Sequence, residues 1–432
     1  MRINMVSIGS TGDVRPYVLL GGELKRRGHE VTIVAFGKFE QMTRDAGLGF
    51  FPLTGDVMEL MERIMKPGVN GAAFLHQVEK ALGKIAPVLL NDLLRAFDGA
   101  ELMICNFFGS MYYSVAEKYG IPVVQTQFFP MDMNDETPIS SSPFLKLGKT
   151  WNRTSYRLGY LLIHLLERRY LTDWRRENGM TVPPVHDGPD YALLGHPVPV
   201  IYAMSPLVLP RPKNWNEHIH MSGFWQDETE QPFTPDKGLA DFLAAGEPPV
   251  YIGFGSMVSG NMDKTFAIVT RAVTASGLRV VLDKGWGGGT LANLPNVYVL
   301  EGFTPHSWLF PRMRAVVHHG GAGTTAAGLR AGKPTLVIPF GGDQPFWGSR
   351  VQALGVGPKP IPRERLTARK LSRALIELTS EKRYEVAARE LGIRLESEDG
   401  AVNAANIIEH ELRKYLRQEG LSPVLVRPEV QQ

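Results

Sequence analysis

Two histidines precede a glycine-rich stretch in the second half of this chain of 432 residues. The stretch, residues 318–324, reads HHGGAGT, follows an apolar run and leads into a run compatible with a helix. A strand that ends at small residues and restarts as a helix presents backbone N–H groups and the positive end of the helix dipole. Glycines let a diphosphate approach this backbone, and imidazoles donate hydrogen bonds to its oxygens. The stretch predicts a diphosphate site.

A second polar stretch, residues 339–345, reads PFGGDQP and contains Asp343 and Gln344. It falls where a second strand ends, and in a parallel sheet such ends lie at one edge. A carboxylate and an amide there suit the hydroxyls of a sugar, so the two stretches together predict a nucleotide-sugar site. Each alone has a structural alternative, because glycine-rich turns are common, paired histidines are often structural, and Asp-Gln after a strand often caps a helix.

The N-terminus predicts a βαβ unit with a carboxylate at its turn. Ile3–Ile8 reads as a strand, Pro16–Arg27 as a helix and Val31–Phe36 as a second strand, which indicates a parallel sheet and an α/β fold. Ligands bind beyond the carboxyl ends of such strands, where Asp13 falls. Asp13 is therefore the candidate general base, and the alternative is that it caps the following helix.

The chain is too long for a single core, and a second α/β series begins near residue 249. We predict two similar α/β domains. Residues 1–210 form the first, 211–240 a linker, 241–400 the second, 401–418 a helix that returns toward the first domain, and 419–432 a tail.

Composition excludes several classes of protein. The net charge is only +3, which gives no reason to expect a nucleic-acid partner. The single cysteine, Cys105, has no partner for an internal disulfide, and no stretch resembles a secretory leader or a membrane span. We expect a soluble cytoplasmic protein. The apolar and basic stretch 144–178 is either an ordinary pair of surface helices or a peripheral contact with a membrane that helps collect a lipophilic substrate.

The stretch from Gly302 to Pro345 resembles the donor signature of family 1 glycosyltransferases, the UDP-glycosyltransferases. The signature is most similar to the one in bacterial and fungal sterol glucosyltransferases and in antibiotic glycosyltransferases. There it reads HHGxxGT, then RAGxP, then DQP. This chain has HHGGAGT at 318–324, RAGKP at 330–334 and DQP at 343–345. The resemblance implies the GT-B architecture, two Rossmann-like domains that face each other across a cleft.

The resemblance also suggests roles for single residues. Many members carry GHxxP at the first turn, with histidine as base, whereas residues 12–16 here read GDVRP, the aspartate version. The carboxylate that orients the histidine is absent here, where Asn106 follows the later strand. Phe303 occupies the position of an aromatic that stacks on uracil. The glutamate that holds the ribose in plant members is replaced by Ala327, which leaves the nucleotide preference open.

We therefore expect an inverting hexosyltransferase that moves glucose from UDP-glucose to a hydroxyl of a lipophilic acceptor, a sterol or another natural-product aglycone. No cofactor is expected, and without a D-x-D triplet the reaction is predicted to be independent of metal. The predicted base is Asp13, and the predicted acceptor contacts are Phe108, Phe128 and Phe129. The predicted donor contacts are Ser256, Trp286, Phe303, His319, Gly321, Gly323, Thr324, Asp343 and Gln344.

Two other classes share this fold. A nicotinamide-dependent oxidoreductase would need GxGxxG after the first strand, and the first turn offers only Gly9 and Gly12. A non-catalytic carrier of sugar nucleotides or lipids would have no need of Asp13 together with Asp343 and Gln344.

Overall fold

The structure, a computed structural model, describes residues 1–56, 72–106, 109–139, 147–185, 188, 192–226, 233–255, 262–285 and 294–420. The chain divides into two compact units. The first unit comprises Met1–Met204, Arg211–Trp225 and the stretch that begins at Gly400, and the second comprises Ser205–Pro210 and Gln226–Asp399. The stretch predicted as a linker thus contributes residues to both units.

The first unit is built on a seven-stranded parallel sheet in the order β3-β2-β1-β4-β5-β8-β9. Most residues of its inner strands are buried because helices cover both faces of such a sheet. A short antiparallel hairpin, β6 with β7, lies outside it. The strands are β1 (Arg2–Val6), β2 (Glu30–Phe36), β3 (Gly49–Leu53), β4 (Leu102–Cys105), β5 (Val123–Gln127), β6 (Ala192–Leu193), β7 (His196–Pro197), β8 (Val200–Tyr202) and β9 (Ile219–Met221).

The first helix starts five residues earlier than the sequence predicts, at Thr11 instead of Pro16. Ser10 is the cause, because its hydroxyl accepts a hydrogen bond from the Gly12 amide while the Asp13 carboxylate accepts one from the Ser10 amide. This reciprocal capping box stabilises a helix start. The described helices of this unit are α1 (Thr11–Arg26), α2 (Glu40–Asp45), α3 (Ala72–Phe97), α4 (Gly109–Tyr119), α5 (Gly148–Glu177) and the C-terminal helix, α13 (Gly400–Gln418).

The described part of the stretch 144–178, from residue 147 onward, contains one helix of 30 residues, α5. The pair of surface helices, one of the two predictions for this stretch, is therefore not observed there. Gly159 does not interrupt it. A Cβ on Gly159 would lie 2.7 Å from the Ile139 Cδ1, so this glycine is a point of close packing and not a break. Among the described residues, no helix is both long and apolar enough to cross a membrane.

The second unit contains a five-stranded parallel sheet in the order β12-β11-β10-β13-β14. Together with the first sheet it confirms the predicted α/β fold with two parallel sheets. The strands are β10 (Val250–Gly253), β11 (Val280–Asp283), β12 (Val297–Val299), β13 (Ala315–His318) and β14 (Thr335–Val337). The helices are α6 (Lys237–Ala244), α7 (Met262–Ser276), α8 (His306–Leu309), α9 (Ala322–Arg330), α10 (Gln344–Ala353), α11 (Ala368–Ser380) and α12 (Lys382–Glu396).

The last helix, α13 (Gly400–Gln418), packs against α1 in the first unit. Arg27 donates hydrogen bonds to the Glu409 carboxylate and to the Asn406 side chain, and His29 lies 3.2 Å from Glu409. Gly400 allows the helix to begin there, because a Cβ would lie 2.2 Å from the Phe224 carbonyl oxygen.

Candidate functional site

The turn after β13 is closed by a hydrogen bond from the Gly320 amide to His318 Nδ1, 2.9 Å long. His318 is fully buried, and burial holds its pKa well below the ordinary value. Because Nδ1 accepts, the proton of this neutral ring is assigned to Nε2. Gly320 has a φ of 97°, and a Cβ there would lie 2.6 Å from Val337 Cγ1. His318 therefore shapes the turn.

The imidazole of His319 lies between two glycines. A Cβ on Gly255 would lie 2.9 Å from His319 Cε1, and a Cβ on Gly321 would lie 2.6 Å from Nε2. His319 is 8% exposed, and its Nδ1 makes no hydrogen bond within the described part of the chain. Burial, reinforced by nearby His306, lowers the pKa of His319 to about 4. At neutral pH the ring carries no charge and has one N–H to donate.

The start of α9 lies directly after these histidines. Its N-cap is Gly321, which has no side chain that could accept hydrogen bonds from the first amides of the helix. The first intrahelical bond runs from the Thr325 amide to the Gly321 carbonyl at 2.9 Å. Gly323 is exposed, with open space where a Cβ would be. The amides of residues 322–324 and the helix dipole thus provide the arrangement that binds anions at helix starts.

The stretch after β14 meets the same edge of the sheet. Gln344 is buried, and its Oε1 accepts hydrogen bonds from the amides of Phe340 and Gly341, at 2.7 and 3.3 Å. The Ile338 amide donates to the His318 carbonyl, 2.8 Å away. Asp343 is the N-cap residue of α10, but its side chain makes no capping hydrogen bond, and its Oδ2 accepts a hydrogen bond of 2.9 Å from the Trp347 indole. The ends of β13 and β14 are therefore joined, with the amide and carboxylate beside the glycine turn.

In the first unit, Asp13 lies in the first turn of α1. Its Oδ2 accepts hydrogen bonds from the Ser10 amide, 2.7 Å, and from the Ser10 hydroxyl, 3.0 Å. A Cβ on Gly9 would lie 2.3 Å from that oxygen, so only glycine leaves room for the carboxylate. Burial raises the pKa of Asp13 more than the two Ser10 hydrogen bonds lower it. This carboxylate is held in place and has a raised proton affinity.

Aromatic rings pack one helical turn from Asp13. Tyr17 lies 6.2 Å from Phe128 and 6.3 Å from Trp225, and Phe128 and Trp225 are 5.9 Å apart, measured between ring centroids. Tyr17 and Trp225 are buried, whereas Phe128, which follows β5, is only partly buried. The two buried rings therefore support a partly exposed third ring near the carboxylate.

Two family models match separate parts of this chain. The N-terminal domain of glycosyltransferase family 28 matches residues 3–136. The C-terminal domain of erythromycin biosynthesis protein CIII-like proteins matches residues 277–409. The first match contains Asp13, and the second contains both the histidine turn and the Asp343-Gln344 pair.

Two plant proteins are similar along almost the whole chain. Sterol 3-beta-glucosyltransferase UGT80A2 of Arabidopsis thaliana is 35% identical over 94% of this chain, which spans 64% of that protein. Sterol 3-beta-glucosyltransferase UGT80B1 of the same plant is 34% identical over 95% of this chain, which spans 68% of that protein. The chain belongs to the sterol 3-beta-glucosyltransferase family. The predicted relation to UDP-glycosyltransferases is confirmed.

The fold of this family member is also that of antibiotic glycosyltransferases. The crystal structure of the kitacinnamycin glycosyltransferase superposes with a TM-score of 0.70 at 21% identity, covering 95% of this chain and 99% of the other. The predicted GT-B class is confirmed by this likeness.

The structure places the predicted site residues of this family member in different parts of the fold. The second sheet brings His319, Gly321, Gly323, Thr324, Asp343 and Gln344 to one edge. Phe303 follows β12 and is 72% exposed, which is unusual for a phenylalanine. Phe129 packs partly buried against the cluster of Met131, Ile139 and Tyr156. The predicted Phe108, Ser256 and Trp286 lie outside the described residues.

Sequence reasoning missed three residues of this family member's candidate site. The sequence places Gly9 in a turn, Tyr17 within the predicted helix and Trp225 within the predicted linker. Tyr17 lies four residues after Asp13 and shares its side of α1, a signal that the sequence contained. Trp225 lies about 200 residues away in the chain, so only the fold could bring it to Tyr17.

The contacts of Ser10 predict how Ser10→Ala changes the pH profile. Because the hydroxyl stabilises the ionised carboxylate of Asp13, its loss should raise the pKa of Asp13 further. With Asp13 as the predicted base, which must be deprotonated to act, the acid limb of kcat/KM should move to higher pH. The loss of the cap should cost about 1 kcal/mol of stability. Ser10→Thr, which keeps the hydroxyl, is the matched control. Lower stability with an unmoved acid limb would mean that Ser10 only caps the helix.

Proposed function

We propose that this protein transfers glucose from UDP-glucose to a hydroxyl of a sterol or a similar polycyclic acceptor, with inversion at the anomeric carbon. The observation that carries the proposal is 34% identity over 95% of the chain to a protein named sterol 3-beta-glucosyltransferase. The aromatic rings beside Asp13 support an apolar acceptor. A peripheral contact with a membrane, from which such an acceptor is taken, is part of the proposal.

The donor diphosphate would be held by uncharged groups. The neutral His319 donates one N–H, and the amides at the start of α9 donate others along the helix dipole. As the bond from the anomeric carbon to the diphosphate breaks, negative charge grows on that diphosphate. Donors already in place stabilise this charge without moving. We propose that Phe303 stacks on the uracil and that no metal is needed.

Asp13 would accept the proton of the acceptor. An alcohol is far less acidic than a carboxylic acid, so the proton moves only while the oxygen bonds to the anomeric carbon. With Oδ2 occupied by the two Ser10 hydrogen bonds, Oδ1 is the atom that receives it. Direct attack opposite the leaving diphosphate gives inversion, and the products are a glucoside, UDP and a protonated Asp13.

Asp13→Asn should lower turnover by about 10²–10⁴, the usual contribution of a general base. UDP affinity and melting temperature should stay close to those of the parent, since asparagine keeps the size of the side chain. The measurement is UDP release with a sterol acceptor, with and without a chelator. An active Asp13→Asn, or parent activity that a chelator abolishes and magnesium restores, would contradict the mechanism.

The same protein sample separates the other two classes. A thermal shift with NAD but not with UDP would indicate an oxidoreductase. Stabilisation by UDP-glucose without release of UDP to sterols or flavonoids would indicate a carrier.

His319→Ala should weaken UDP-glucose binding and lower turnover by roughly 10²–10³, as for the loss of one preorganised donor. Because the pKa of His319 is about 4, the ratio of parent to variant affinity should stay constant as the pH falls through about 6.5, the ordinary value for histidine. A ratio that rises over that interval would show that an imidazolium charge binds the diphosphate, contrary to the proposal.

Asp343→Asn should weaken the binding of UDP-glucose more than the binding of UDP. A carboxylate that accepts hydrogen bonds from the sugar hydroxyls has no such partner in UDP alone. Losing a hydrogen bond to a charged group should cost roughly 10–100-fold in kcat/KM for UDP-glucose. Trp347→Phe, which removes the indole donor but keeps the carboxylate, is the control. Equal losses of UDP and UDP-glucose affinity in Asp343→Asn would indicate that Asp343 only orders the turn.

A further inference from the structure

Helix α5 exposes an apolar stripe to solvent. Leu158, Leu162 and Leu165 are 55%, 36% and 50% exposed. Their spacing of four and three residues places them on one side of the helix, over two turns. Leu147, just before the helix, is 62% exposed. Single exposed leucines are normal, but a row of them on one helix face marks an interaction surface.

The other side of α5 is firmly packed. Tyr156, Tyr160, Leu171 and Trp174 are buried, and the Ser155 hydroxyl accepts a hydrogen bond of 2.9 Å from the Ile139 amide. The helix therefore belongs to the folded unit along its length. The exposed leucines are a property of its outer face and not of a loosely attached segment.

Cationic side chains flank the leucine stripe at both ends. Toward the N-terminus, exposed Lys149 and Arg153 both pair with Asp135, at 2.6 and 2.5 Å, and Arg157 is exposed on the following turn. Toward the C-terminus, Arg168 and Arg169 are exposed. The only carboxylate of the helix before Asp173 is Glu167, which is buried. The exposed face of α5 thus combines leucines at its centre with a net positive charge.

We propose that this face of α5 lies on an anionic membrane surface, with Leu158, Leu162 and Leu165 in the acyl boundary and the flanking arginines at lipid phosphates. Helices with these features lie in the plane of the interface, and long cationic side chains reach the headgroups from there. Each basic residue near an anionic leaflet strengthens binding roughly fivefold. The inference rests on the proposed function only for its purpose, the capture of a lipophilic acceptor.

Binding is measured without turnover, by co-sedimentation of the full chain with phosphatidylcholine vesicles that contain or lack phosphatidylserine. The parent should bind the anionic vesicles, and added salt should weaken the binding. Leu162→Glu with Leu165→Glu should lower the partition coefficient roughly tenfold or more, and so should Arg168→Gln with Arg169→Gln. Ile376→Glu with Ile393→Glu, at positions 48% and 60% exposed in the second unit, is the matched control and should bind like the parent.

Several outcomes would overturn the inference. These are no binding of the parent, equal binding to vesicles with and without phosphatidylserine, or leucine and arginine variants that bind like the parent. A dimer in sedimentation velocity that Leu162→Glu with Leu165→Glu separates would assign the face to a second copy of the chain instead. Activity toward a detergent-dispersed sterol, which the variants should retain, keeps failure of this inference distinct from failure of the proposed glucose transfer.

Discussion

The candidate donor site depends on one hydrogen bond, from the Gly320 amide to His318 Nδ1. It turns the chain directly after β13, and the turn places the His319 ring between Gly255 and Gly321. Burial then keeps both rings uncharged. A neutral His319 cannot form an ion pair with a carboxylate in place of a ligand, and it does not repel the positive end of the α9 dipole. Under the proposed function, this arrangement would attract a diphosphate through oriented N–H groups, which need no reorganisation when charge develops.

In the first unit, a capping box holds the Asp13 carboxylate in place. At the start of α1, the Ser10 hydroxyl accepts a hydrogen bond from a helix amide and the Asp13 carboxylate accepts one from the Ser10 amide, as in many helices. The alternative that Asp13 caps the helix therefore describes the geometry correctly. It does not exclude a base. Only Oδ2 is occupied by Ser10, and the raised pKa of Asp13 is not what a cap requires. Capping fixes the carboxylate, and burial gives it proton affinity.

The sequence predicts the parallel sheets, the two strands on either side of α1 and the edge that collects the donor residues, because those depend on local apolar runs and on the rule for strand ends. It misplaced the start of α1, where Ser10 mattered more than Pro16. It also offers a pair of surface helices where the structure has the single helix α5, since close packing of Gly159 on Ile139 is a tertiary contact. The Tyr17–Phe128–Trp225 cluster joins residues that are far apart in sequence, and no local pattern encodes it.

The proton affinity of Asp13 depends on the groups that surround its carboxylate. A carboxylate at a helix start, with hydrogen bonds from Ser10, is stabilised in its ionised form and is therefore a weak base. Burial beside apolar rings works in the opposite direction. A polycyclic acceptor that excludes further water would strengthen that effect, whereas a polar acceptor that brings water would weaken it. Under the proposed function, the surroundings that bind a sterol also raise the proton affinity of the base, so selectivity for lipophilic acceptors appears in kcat as well as in KM.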